Sequence, residues 1–132
     1  MTTMAFERAL PAPAIDPTNK AFWEAAKEHR FLIGLCKDTG KHFFYPRGCS
    51  PFTLSNNVEL VPAKGTGTIY TFTVARTKEP HAVAYVELDE GPRIMTNIVD
   101  CDLDAIKIGQ KVKLVWKPTQ EGAPPIYMFT PA

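Results

Sequence analysis

The 132-residue sequence is poor in cysteine, in charge imbalance and in long apolar runs. Its three cysteines, Cys36, Cys49 and Cys101, are an odd and sparse set, which excludes a disulfide framework. Fifteen basic residues stand against 14 acidic ones, a net charge of +1, so the electrostatic footprint of a nucleic-acid-binding protein is missing. No stretch approaches the roughly 20 apolar residues of a membrane helix. The N-terminal MTTMAFERALPAPAIDP has no apolar core of the kind a secretory signal carries. A reducing cytoplasm is therefore the expected compartment. There is no phosphate-binding glycine loop, no internal repeat and no low-complexity tract. What the chain has is 45% hydrophobic residues, enough for a real core, and 12 prolines, which favour short elements over long helices.

Residues 1–16 read as a flexible tail, in which Pro11 and Pro13 alternate with alanine and favour extended backbone. Asp16 followed by Pro17 has the form of an N-cap and a first-turn proline, and predicts a helix from about Pro17 to about Arg30. Phe22 and Ala26, with Trp23 beside them, give that helix one apolar face. Phe22 and Trp23 are candidate partner-binding residues, since large aromatics are enriched in interface cores. Packing on the chain's own domain is the plainer use of the same face. Short strands are predicted at Phe31–Cys36, His42–Tyr45 and Val58–Val61. From Gly65 the β-branched and aromatic content rises. Period two there places Ile69, Thr71 and Thr73 on one face and Tyr70, Phe72 and Val74 on the other. Gly65 and Gly67 permit a bulge or a tight bend. Further strands are predicted at His81–Leu88, Arg93–Val99, Lys111–Trp116 and Ile126–Phe129, with a helical turn capped by Asp102. Five short strands with turn signals between them predict a small closed barrel. The expected division is a tail over 1–16, helix and ribbon over 17–61, and barrel over 62–132.

Between helix and barrel lies LCKDTGKHFFYPRGCSPFT, residues 35–53. It reads as two short knuckles joined by a hairpin, each begun by a cysteine. A zinc ribbon closes four thiolates from two C-x-x-C knuckles around a tetrahedral metal. Counting three residues on from Cys36 and Cys49 gives Thr39 and Phe52, so half the ligands are missing. His42 and Asp38 are near in sequence, but His42 sits in a hairpin strand rather than at a knuckle. Cys36, Thr39, Cys49 and Phe52 are therefore read as remnant positions, and zinc is not expected. Phe43, Phe44, Tyr45 and Phe52 are expected to pack where metal would pin the loops. Structural zinc contributes on the order of 10 kcal/mol to a small ribbon, and a buried aromatic about 2–3 kcal/mol. The ribbon is thus expected to lean on the barrel, the helix or a partner chain.

The order of helix, two-knuckle ribbon and OB-type barrel resembles the DUF35 family. The resemblance is carried by FWEAAKEHRFLIGLC at 22–36, YPRGCSP at 45–51, AKGTGTIYTFTV at 63–74, VAYVELDEGPRIMTNIVD at 83–100 and IGQKV at 108–112. It implies a mainly β protein with an N-terminal helix, a rubredoxin-like zinc-ribbon hairpin, here degenerate, and a C-terminal five-stranded OB-fold barrel. It also implies a non-catalytic accessory subunit or scaffold in a hetero-oligomer. The partner would be a thiolase-like or hot-dog-fold hydratase enzyme, with CoA or acyl-CoA as a ligand.

CoA needs cations for its phosphates and an aromatic wall for adenine. Arg47, in the YPR turn, can grip a phosphate in a bidentate manner. Tyr45, Phe44, Lys37 and Lys64 are its candidate companions. No catalytic set stands out. Cys101 lies between Asp100 and Asp102, whose charges raise a thiol pKa. Glu87, Asp89 and Glu90 sit in a turn without the burial that separates an acid from a base. His29, His42 and His81 are scattered. Two alternatives remain open. One is a single-stranded nucleic-acid binder, for which KVKLVWKP offers Lys111, Lys113, Trp116 and Lys117. The other is an autonomous enzyme acting on a CoA thioester through Cys36 or Cys101.

Overall fold

The computed structural model describes residues 3–5 and 9–132. Its helix α1 (Lys20–Lys27) is shorter than predicted at both ends. Asp16 does cap, but it caps a turn: its carboxylate accepts from the amides of Thr18 (2.8 Å) and Asn19 (3.1 Å). The first helical bond runs from the Trp23 amide to the Asn19 carbonyl. At the other end His29 enters left-handed backbone at φ 58°. The amides of His29 and Arg30 then close on the carbonyls of Ala26 and Ala25, the bond pair that terminates a helix at a left-handed residue. Phe22, Ala25 and Ala26 form the buried face.

The ribbon sheet has β1 (Leu32–Cys36) at its centre, with β2 (His42–Phe43) and β3 (Val58–Pro62) antiparallel on either side. Gly34 of β1 pairs with Phe43, whose ring lies 2.4 Å from where a Cβ at position 34 would stand. The absence of a side chain there is what lets the ring cover the sheet.

The barrel is built from β4 (Thr66–Ala75), β5 (His81–Leu88), β6 (Arg93–Ile98), β7 (Lys111–Lys117) and β8 (Ile126–Pro131). It closes in the order β4-β5-β6-β8-β7, so that each strand has a neighbour on both sides. β6 and β8 run parallel through the single pair Ile98–Phe129. On β5 the alternation is regular: Ala82, Ala84, Val86 and Leu88 point into the core, while Tyr85 points out. On β4 the predicted faces are broken. The pairing shifts between Ile69 and Thr71, placing a bulge at Tyr70. One extra residue exchanges the faces that follow. Ile69 is buried, Tyr70 and Thr71 are both exposed, and Phe72 and Val74 pack on the core. The bulge is not at the glycines. Gly67 instead allows close approach of β5, since a Cβ there would lie 2.6 Å from the Glu87 carbonyl oxygen.

The 3-10 turn at Leu103–Ala105 is capped by Asp102 as predicted, its carboxylate accepting from the Asp104 amide at 3.0 Å. The same oxygen accepts from the Thr3 amide at 3.0 Å, and the Ala5 amide donates to the Cys101 carbonyl at 3.1 Å. Part of the expected tail is therefore docked on the barrel. Residues 1, 2 and 6–8 of it lie outside the described residues.

Helix, ribbon and barrel meet in one aromatic seam. Phe31, just ahead of β1, packs 5.6 Å from Tyr127 and 6.4 Å from Phe129 on β8, and 6.2 Å from Trp116 on β7. Phe22 of α1 packs 6.2 Å from Phe31 and 5.9 Å from Tyr127. Such pairs add about 0.5–1.5 kcal/mol each beyond the area they bury. The ribbon thus leans on both the barrel and the helix.

Candidate functional site

The two knuckles repeat one hydrogen-bond pattern. The Cys36 amide donates to the Lys41 carbonyl and the Ser50 amide to the Ser55 carbonyl, each at 2.8 Å. The Gly40 amide returns to the Cys36 carbonyl at 2.8 Å, and the Leu54 amide to the Ser50 carbonyl at 3.0 Å. Gly40 and Leu54 both have left-handed φ, 74° and 63°. The Cys36 sulfur accepts from the amides of Asp38 and Thr39. The Ser50 hydroxyl oxygen accepts from those of Phe52 (3.1 Å) and Thr53 (3.2 Å). Ser50, not Cys49, is the counterpart of Cys36, and the corner residues are Cys36, Thr39, Ser50 and Thr53.

The remnant set read from the sequence is therefore one residue out in its second half. Sequence spacing can be counted only from a visible ligand type, and Cys49 is the wrong one. It is exposed, its thiol donating to the Ser50 carbonyl at 3.6 Å. Phe52 does not fill a corner either. It is 46% exposed, its ring 6.4 Å from Phe43 and 5.5 Å from the Lys41 ammonium.

At the centre, Cys36 and Ser50 are fully buried and the Ser50 hydroxyl donates to the Cys36 sulfur at 3.0 Å. Burial pushes the Cys36 thiol up. The hydroxyls of Ser50 and Thr39 and the two knuckle amides outweigh it and bring the thiol from 9.0 down to about 7. Asp38 ties one knuckle to the other. Its carboxylate accepts from Ser55, from Asn57 Nδ2 at 2.8 Å and from Thr53 Oγ1 at 2.9 Å. Those three bonds, Ser55's first, hold it below the usual carboxylate range.

The YPR turn takes Phe44 and Tyr45 away from the knuckles and into the seam. Between that turn and α1 lies a cavity of about 260 Å³, lined by Phe22, Trp23, Tyr45, Pro46, Arg47 and residues of the α1 approach. The candidates Phe22, Trp23, Tyr45 and Arg47 are thus brought together. Phe44 stands behind them, 4.4 Å from Tyr45 and 5.8 Å from Phe22. Phe22 is 3% exposed and offers a partner little surface, whereas Trp23 is half-buried and stacks on Tyr127 at 6.3 Å. Burial, and then the Tyr45 hydroxyl, push the Tyr127 phenol well up, so it stays neutral. Among the described residues Arg47 is the charged side chain of the lining, and its Nε donates to the Tyr45 carbonyl at 3.4 Å. Lys37 and Lys64 do not join it. Lys37 pairs with Glu59 at 3.7 Å, and the Lys64 amide donates to Glu90 at 2.7 Å. Chemically the cavity is an aromatic slot with a guanidinium at its edge.

Two features escaped the sequence reading. Tyr70, Tyr85 and Met95 stand exposed on three neighbouring strands, with Tyr85 directly opposite Met95. Arg93 lies 3.9 Å from the Tyr70 ring and pairs with Glu87 at 2.9 Å. The outward large apolar residues of β5 and β6 were the available signal. The bulge that turns Tyr70 outward had none. A second cavity of about 280 Å³ lies between the N-terminal segment and the barrel. Its polar lining is already engaged, with Lys117 on Asp100 at 2.8 Å and Asn97 on the Ala82 carbonyl at 2.8 Å.

Comparison with known proteins places this architecture. The family model described as "ChsH2, rubredoxin-like zinc ribbon domain" matches residues 23–51, and "ChsH2, C-terminal OB-fold domain" matches residues 60–117. A "DUF35 domain-containing scaffold protein" of Methanocaldococcus jannaschii is 32% identical over 108 residues, covering 75% of this chain and 77% of that protein. This chain belongs to the DUF35 family. A "Probable enoyl-CoA hydratase alpha subunit" of Thermomonospora curvata is 38% identical over 112 residues, covering 80% of this chain. The match takes in 35% of that relative, so the chain spans about a third of its length. A chain of the solved structure described as "Ltp2-ChsH2(DUF35) aldolase" superposes with a TM-score of 0.79 at 35% identity, covering 90% of this chain and 98% of that one. A DUF35 protein of unknown function from Sulfolobus solfataricus shares the fold, with a TM-score of 0.65 at 14% identity.

A DUF35 ribbon of this kind is named for zinc, and the corner residues of this one do not fit it. Zinc takes thiolate, imidazole and carboxylate ligands, and three of the four corners here are hydroxyls. Among the described residues no three His, Cys, Asp or Glu side chains are grouped to hold a metal ion. Nor is Cys101 an activated thiol. Burial, then Asp102 and Asp100, push it up. No helix of the described residues is long and apolar enough to cross a membrane.

Proposed function

We propose that this DUF35 chain is a non-catalytic accessory subunit of an acyl-CoA-metabolising enzyme complex, with a thiolase-like or hydratase enzyme as its partner. The observation that carries the reading is the 98% coverage, at 35% identity, of a chain from the structure described as "Ltp2-ChsH2(DUF35) aldolase". The name of the Thermomonospora relative, a hydratase alpha subunit, supports the same class. The side chains agree with it. The cavity beside α1 has aromatic walls and a guanidinium and, among the described residues, no nucleophile with a base beside it, which suits it to holding a ligand rather than reacting with one.

In this reading the cavity receives part of CoA or acyl-CoA, with Arg47 on a phosphate and Tyr45 and Trp23 against the apolar portion. A single-strand nucleic-acid binder would need free cations among exposed aromatics. Arg93 is engaged by Glu87 and Tyr70, and Trp116 is packed against His29 and Phe31, at 5.9 and 6.2 Å.

Purification of the tagged chain from its native host tests the assignment. A thiolase-like or hydratase enzyme should co-purify. A lone monomer that also leaves such an enzyme's activity unchanged would overturn the reading. For the ligand, calorimetric titration with CoA should show binding that Arg47→Ala weakens about ten- to hundredfold, the value of one charge-assisted hydrogen bond.

A further inference from the structure

We infer that the ribbon of this chain closes without metal, and that a hydroxyl–thiol centre and the Asp38 carboxylate together take over the cross-link that zinc makes in a four-thiolate ribbon. The register comes from the backbone. Two knuckles with the same paired bonds, 36 to 41 and 50 to 55, define Cys36, Thr39, Ser50 and Thr53 as the corners. A metal ligand must shed its proton, and serine and threonine hydroxyls keep theirs at neutral pH. One thiol with three hydroxyls is therefore not a zinc set.

Two further donor side chains near the corners, Cys49 and Asp38, are turned away or occupied. Cys49 is exposed outside the centre, and the Asp38 oxygens accept from Thr53, Ser55 and Asn57. The centre itself is closed. Two ligands on one tetrahedral zinc, at about 2.3 Å for sulfur and about 2.1 Å for oxygen, stand about 3.6 Å apart. Ser50 Oγ and Cys36 Sγ are 3.0 Å apart, the length of a direct hydrogen bond.

The replacement cross-link is equally specific. Asp38 belongs to the first knuckle, and its three partners lie on the second knuckle and the segment that leads from it into β3. Thr53, at the fourth corner, turns its hydroxyl outward to that carboxylate instead of inward to a metal. A ribbon held this way should be indifferent to chelators and sensitive to loss of one carboxylate.

The test is elemental analysis of the full chain expressed with added zinc. Wild type should carry under about a tenth of a zinc per chain, and its melting temperature should not move with EDTA. Stoichiometric zinc, or a chelator-induced fall in Tm, would overturn the inference. The triple variant T39C/S50C/T53C should gain about one zinc per chain and the absorption bands of tetrahedral cobalt-thiolate when titrated with Co²⁺. T39C/F52C, built on the register read from Cys49, should gain neither. Metal binding by T39C/F52C would overturn the assigned corners. If the triple variant fails to fold, the wild-type zinc content and Asp38→Asn still decide. That substitution should lower Tm while metal content stays near zero, and an unchanged Tm would remove Asp38 from the cross-link.

Discussion

The Phe31 ring packs 5.6 Å from Tyr127, joining the start of the ribbon to the last strand of the barrel. Phe31 is 4% exposed and also touches Phe22 of the helix, so three elements share one contact. Phe31→Ala should cost about 3–5 kcal/mol, the range for a buried phenylalanine. Urea denaturation followed by near-UV and far-UV dichroism should show one transition at a lower midpoint. Two separated transitions in wild type would mean that ribbon and barrel fold independently.

Leu54 holds a left-handed φ of 63° in the position where the first knuckle has Gly40, and it is 80% exposed. A branched residue there costs about 1–2 kcal/mol of backbone strain, against which glycine sets an entropic cost of about 0.5–1 kcal/mol. Leu54→Gly should therefore stabilise by roughly 0.5–1 kcal/mol, read as a higher denaturation midpoint. A lower midpoint would contradict the equivalence of the two knuckles.

Gly34 and Phe43 form a pair in which either residue constrains the other. Gly34→Ala drives a Cβ into the Phe43 ring, and overpacking of this kind costs about 1–3 kcal/mol. In a Phe43→Ala background the same substitution should cost much less. A double-mutant cycle with no coupling between the two positions would show that the ring moves aside freely.

The three thiols should label in an order set by access before acidity. Cys49 is exposed and should react first with iodoacetamide at neutral pH. Cys36, although lowered to about 7, is fully buried and should react only when the ribbon opens. Cys101 is pushed up by burial and its two aspartates, so less of it is thiolate at a given pH than in a free thiol. Its labelling should be slow near pH 7 and accelerate as pH rises. Mass spectrometry of timed samples resolves the order, and early modification of Cys101 would contradict it.

Much of this architecture is legible in the chain because its signals are local. Alternation in HAVAYVEL, the Asp102 cap and the turn residues between strands are each set by neighbours in sequence. These determine the order of helix, ribbon strands and barrel strands. The C-terminal end of α1 was not legible, because His29 adopts its left-handed turn while its ring stacks on Trp116, far along the chain. The bulge at Tyr70 was hidden for a related reason. Barrel closure decides where the extra residue goes, and nothing in GTGTIYTFTV marks it.

The ribbon divides the two kinds of information most sharply. By itself the sequence determined that two knuckles flank an aromatic hairpin and that the ligand pattern is incomplete, since both follow from residue type and spacing. Only the tertiary structure decided which residues are the corners. Leu54 stands where a glycine would have marked the second knuckle, and Cys49 offers a thiol one residue early. The true counterpart of Cys36 is Ser50, and a serine is recognisable as a knuckle residue only once backbone amides converge on its oxygen and it meets the Cys36 sulfur.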